Sequence, residues 1–167
     1  MTSDAVANST WRGRFWRYAP LLFWIGVIFY LSGGGGSFTE SSRYIKPILE
    51  FLFPSASPET IALYHGFLRK VAHPTVYGIL ALFAARAFLT SSKEVLRRMW
   101  FPAALLTALL IASLDEFNQS MLASRTGAMA DIALDLAGAA VAALLLLILK
   151  RDRSTAKPDR PPPAQNS

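Results

Sequence analysis

The sequence predicts an all-α integral membrane protein. It would be a four-helix bundle with both termini cytoplasmic and a short amphipathic helix in its first external loop. Three observations predict this. Of 167 residues, 53% are hydrophobic and only 17% are charged, and the apolar residues come in long runs rather than at an amphipathic period. Four of those runs approach the ~20 residues a helix needs to cross ~30 Å of hydrocarbon. Lys and Arg gather in alternate connections, as the positive-inside rule requires.

The elements follow in order. Residues 1–14 form a cytoplasmic arm with Arg12 and Arg14, and Arg17 follows just inside the first span, 15–32 (FWRYAPLLFWIGVIFYLS). Basic residues before an apolar stretch also fit a signal peptide, but no A-x-A-like site follows. The first external loop, 33–66, opens with SGGGGS, a flexible turn, and then carries amphipathic pieces such as YIKPILEFLF. Ser57-Pro58-Glu59 reads as a helix start: Ser as N-cap, Pro at the first helical position, Glu favourable to the dipole. The helix from there to Lys70 is expected to lie on or dip into the outer surface. The second span, 70–89, contains Pro74, which should bend or break the path and free the Lys70 carbonyl. Arg86, Lys93, Arg97 and Arg98 mark an inner loop before the third span, 100–121, and the fourth, 130–149. The single transmembrane domain is thus 15–149. The tail, 150–167, is basic, Pro-rich and expected to be disordered. Twelve of the 17 Lys and Arg fall in the arm, the inner loop and the tail, which orients the chain. Trp11, Trp16, Trp24, Trp100 and Phe101 read mostly as interfacial anchors. The expected location is the inner (plasma) membrane, crossed several times.

With no Cys, the chain has no disulfide framework, thiol nucleophile or Cys-ligated metal. The net charge of +6 is explained by topology and implies no nucleic-acid partner.

Four polar clusters fall at one depth under this topology: Arg69-Lys70-x-x-His73, Asp115-Glu116-x-x-Gln119, Arg125, and Asp131-x-x-x-Asp135. At 1.5 Å per residue, Pro102 to Glu116 rises about 21 Å from the inner edge, and Lys150 back to Asp135 about 22 Å. His73, Asp115, Glu116 and Asp135 therefore reach the outer third of the bilayer, with Gln119, Arg125 and Asp131 at its rim. Ionisable groups at such depth mark a functional site by default. Ala104, Ala108, Ala112, Glu116 and Gln119 are expected to share one face, as are Asp131, Asp135, Gly138 and Ala142. Small residues at that spacing let membrane helices approach, so the acidic faces should be packing faces.

These residues resemble a known family. Arg69-Lys70-x-x-His73-x-x-x-Tyr77 looks like the second helix of VanZ-like proteins. Asp115-Glu116-x-x-Gln119, then Arg125, Asp131 and Asp135-x-x-Gly138, are similar to the third and fourth. The resemblance covers roughly residues 20–150, with one departure: Pro74 follows His73 where an apolar or aromatic residue is expected. The family's namesake is associated with low-level teicoplanin resistance. The resemblance implies a small envelope protein with four transmembrane helices and supplies no established reaction.

Several functions remain open on the residues alone. In one, Arg69, Lys70 and Arg125 hold a phosphate or carboxylate. Asp115, Gln119 and Asp131 complete the binding set. His73 and Glu116, the preferred carboxylate, then exchange protons, with Asp135 orienting His73. No Ser or Cys completes a triad, and phosphatase-type signatures are absent. His65 reads as a surface residue. In a second, non-catalytic reading the same charges lock the helices together. The acids with His73 also offer ligands suited to Mg²⁺, Mn²⁺ or Ca²⁺, but no motif supports a metal and no cofactor is indicated. An ion pathway is disfavoured because the inner halves of the spans are apolar. The partners expected are membrane lipids and a lipid-linked envelope precursor; oligomeric state is left open.

Overall fold

The computed structural model describes residues 3–32, 38–120 and 129–155, with side chains over 13–32, 41–120 and 129–152. Arg125, residues 33–37 of the SGGGGS turn and the tail beyond Thr155 lie outside the described residues, as do the side chains of Trp11 and Arg12. Every element is helical: α1 Ser3–Tyr30, α2 Phe38–Leu52, α3 Pro58–Leu89, α4 Glu94–Arg98, α5 Trp100–Ser120 and α6 Met129–Thr155. Helix α1 extends back through much of residues 1–14, and α6 runs past Lys150 to Thr155. The boundaries expected at 14 and 150 thus fall inside helices.

Among the described residues, three helices are long and apolar enough to cross a membrane: α3, α5, and α6 over Met129–Asp152. Helix α1 holds the segment expected to span first, but it is not among the three. Arg14 and Arg17 leave its apolar stretch short.

Helix α3 is the organising element. It packs against α6, α5, α1 and α2. Its start is the one expected: the Ser57 side chain accepts a hydrogen bond from the Thr60 backbone N–H, Pro58 enters at the first turn, and Glu59 faces the dipole's positive end. The surface helix and the second span prove to be one 32-residue helix. At 1.5 Å per residue it is about 48 Å long, more than ~30 Å of hydrocarbon requires. Pro74 does not break it. A helical proline forfeits one backbone bond and crowds a carbonyl, a cost of about 3 kcal/mol that neighbouring helices can offset in a membrane protein. Here α6 packs directly on the Pro74 backbone.

The core is built from small residues. Leu80, Ala81, Ala84, Ala85 and Ala87 of α3 meet Ala104, Ala108 and Ala112 of α5 and Ala139 of α6, all buried. Large apolar side chains point outward instead, among them Phe23, Leu106, Leu110, Val141 and Ile148. This inverts a soluble fold: where lipid surrounds the helices, close approach through Ala and Gly drives packing, and Leu and Phe face the hydrocarbon. Two tryptophans expected at the interfaces pack internally. Trp100 is buried, and Trp24 donates Nε1–H to the Val76 carbonyl at 3.0 Å.

Candidate polar site

His73 and Tyr77 lie one turn apart on α3, and each meets an acid from another helix. The Tyr77 hydroxyl donates to Asp115 Oδ2 of α5 at 3.1 Å. Gln119, one turn beyond Asp115, donates Nε2–H to the same oxygen at 2.8 Å. On the other side, His73 Nδ1 stands 3.5 Å from Asp135 Oδ1 of α6, a charge-pair distance at the outer edge of hydrogen bonding. Asp115, Gln119 and Asp135 are all buried.

A cavity of about 410 Å³ opens beside this cluster. Leu31 and Ser32 beyond the end of α1, Ser41 and Ile45 of α2, and Leu68, Arg69, His73 and Tyr77 of α3 line it, with Asp115 and Gln119 of α5. Most of its wall is apolar. Arg69 Nη1 donates to Ser41 Oγ at 3.1 Å, and His65 Nε2 lies 3.1 Å from the same hydroxyl. His65, expected on the surface, is 2% exposed because α2 folds over α3 and covers it.

Two polar atoms at the cavity are buried without a hydrogen-bond partner: Asp115 Oδ1 and Ser32 Oγ. Such atoms are costly unless something satisfies them. Asp135 Oδ1 shares that description apart from the His73 contact.

The structure thus brings together His73, Asp115, Gln119 and Asp135, with Arg69 lining the same cavity. It does not place the other expected residues there. Glu116 is half-buried and is not among the lining residues, Lys70 and Asp131 are exposed, and Arg125 is outside the described residues. Asp115, not Glu116, carries the buried carboxylate of α5. Tyr77, Ser32 and Ser41 were not expected site residues. Tyr77 stands one turn from His73 on the same face and was legible from spacing; the two serines carry no sequence signal. Among the described residues no group of three or more acids and histidines is placed to hold a metal ion.

A family model described as VanZ/LLP1 matches residues 15–150. The chain belongs to the VanZ-like family. No curated protein and no solved structure matches it. The matched region of this VanZ-like chain includes every cavity-lining residue, from Ile28 to Gln119, and Asp135 behind them.

Proposed function

We propose that this VanZ-like protein spans the inner membrane four times, with both termini cytoplasmic. In this reading it binds or modifies a lipid-linked or phosphorylated envelope component at a site facing the outer leaflet, and so alters sensitivity to glycopeptide-type agents. One observation carries it: a largely apolar cavity, of a size suited to a small ligand or headgroup, is lined by Arg69, His73, Asp115 and Gln119. Arg69 suits an anion such as phosphate. A carboxylate beside His73 Nδ1 is the arrangement that orients an imidazole for proton transfer at its other nitrogen.

Native mass spectrometry of the purified protein beside Arg69→Ala tests the reading. Wild type should retain a phosphorylated species that the variant loses. If both carry the same bulk lipids, the headgroup site is wrong.

A second reading is favoured by a specific observation. The Tyr77–Asp115–Gln119 bonds tie α3 to α5, and the His73–Asp135 pair ties α3 to α6. The cluster would then be a lock between helices, in a protein with an accessory role. Under this reading Leu or Met replacing the whole network would retain stability and phenotype. Under the site reading that replacement abolishes the phenotype in a folded protein.

A further inference from the structure

The Asp115 carboxylate is only half answered. Oδ2 accepts from two neutral donors, the Tyr77 hydroxyl and the Gln119 amide. Oδ1 is buried with no hydrogen-bond partner, on a side chain that is 4% exposed and belongs to a residue lining the cavity. The Ser32 hydroxyl, 6% exposed and also unpartnered, borders the same cavity. A buried carboxylate met by neutral donors alone is best completed by a cation that can also donate hydrogen bonds. Arg69 supplies the opposite charge, eight residues before Tyr77 on α3, or about 12 Å along the axis. The long Arg side chain shortens the span a ligand must bridge.

We propose that the cavity is built for a zwitterionic headgroup, a phosphate joined by a short linker to a primary ammonium, with the ammonium on Asp115 Oδ1 and Ser32 Oγ and the phosphate toward Arg69. This rests on the headgroup reading above and deepens it by naming the second pole. A primary ammonium has three donors, enough for both unpartnered oxygens. A quaternary ammonium has none and would leave both unsatisfied. A purely anionic headgroup would bring a second negative charge toward Asp115.

The test uses the full-length protein in detergent, titrated with defined lipids of matched acyl chains and read by native mass spectrometry. The probes are phosphatidylethanolamine, phosphatidylcholine, phosphatidylglycerol and phosphatidic acid. Phosphatidylethanolamine should bind about tenfold more tightly than phosphatidylcholine, the ratio equivalent to about 1.4 kcal/mol and of the size of one charge-assisted hydrogen bond. Asp115→Asn keeps an oxygen for Tyr77 and Gln119, and should erase that preference while the melting temperature stays near wild type. Ser32→Ala should reduce it. Should Asp115→Asn fail to fold, Ser32→Ala and the wild-type lipid series decide alone. Competition by free O-phosphoethanolamine would assign the same chemistry to a soluble ligand, whereas ethanolamine lipid retained against that competitor would assign it to the bilayer. Equal binding of all four lipids, lost in Arg69→Ala, would overturn the ammonium pole and leave the phosphate site standing. Binding of all four that ignores Arg69→Ala would overturn both.

Discussion

A side chain on Gly138 would collide with Pro74. A Cβ built there falls 2.6 Å from the Pro74 Cα and carbonyl carbon, and closer still to its oxygen. A Cβ built on Gly78, one turn on, would lie 3.3 Å from the Gly138 carbonyl oxygen and 3.4 Å from the Ala142 Cβ. Here α6 lies backbone to backbone on α3, one residue from His73 on α3 and three from Asp135 on α6. Packing and polar site are therefore one construction: the approach that needs Gly138 also brings Asp135 to His73.

The first prediction concerns that contact. Gly138→Ala forces backbone apart and should destabilise the folded protein by about 1–3 kcal/mol, the usual cost of overpacking. Gly26, also helical, has nothing within 4 Å of its virtual Cβ. Gly26→Ala should be neutral or stabilising by about 0.5–1 kcal/mol, the helix propensity difference. Thermal melting of both variants in one detergent checks this; a Gly138→Ala protein as stable as wild type would mean that the helices are not in backbone contact.

The second concerns the buried hydrogen bonds. Tyr77→Phe removes one of two donors from Asp115 while keeping the ring in the core. Loss of a hydrogen bond to a charged acceptor costs about 1.5–3 kcal/mol, so the melting temperature should fall. Combined with Asp115→Ala, the double variant should lose less than the sum of the two single variants, because both changes break the same interaction. Additive losses would place Tyr77 and Asp115 in separate networks.

How far the sequence led to this site depends on helical phase. The stripe Ala104, Ala108, Ala112 is buried as expected, but the polar end of that face is Asp115 and Gln119. A 3.6-residue helix turns about 100° per residue. Eleven steps from Ala104 bring Asp115 to within about 20° of its direction, whereas twelve carry Glu116 about 120° away. Repeated steps of four drift off a face, and alternating a step of three corrects them. In α6, Asp135, Ala139 and Ala143 are buried, while Asp131, in the first turn of the helix, is exposed. The N-cap at Ser57 was legible because its chemistry is local. The burial of His65 was not, because it depends on α2 folding onto α3 through Ser41, 24 residues earlier in the chain.

That fold-over gives the third prediction. Ser41 Oγ receives Arg69 Nη1–H and meets His65 Nε2, so one hydroxyl joins α2 to two turns of α3. Ser41→Ala leaves both partners with a lost contact in a partly buried setting. It should cost about 0.5–1.5 kcal/mol of α2 docking. Limited proteolysis between α2 and α3, around Pro54–Ala56, should then run faster than in wild type, with α5 cleavage unchanged. No change in the α2–α3 rate would remove Ser41 from the docking contact.

The fourth prediction fixes the topology. The chain lacks Cys, so single substitutions can be labelled without background. Ser55, in the turn before α3, and Ser92, after its end, are both exposed and lie at opposite ends of a helix about 48 Å long. Under the proposed topology, which rests on the excess of Lys and Arg beyond Leu89, the Ser92 end is cytoplasmic. In intact cells a membrane-impermeant maleimide should label Ser55→Cys. Ser92→Cys should react only after permeabilisation. The reverse pattern would turn the cavity toward the cytoplasm and end the case for an outer-leaflet ligand, while labelling of both in intact cells would mean that α3 does not cross the bilayer.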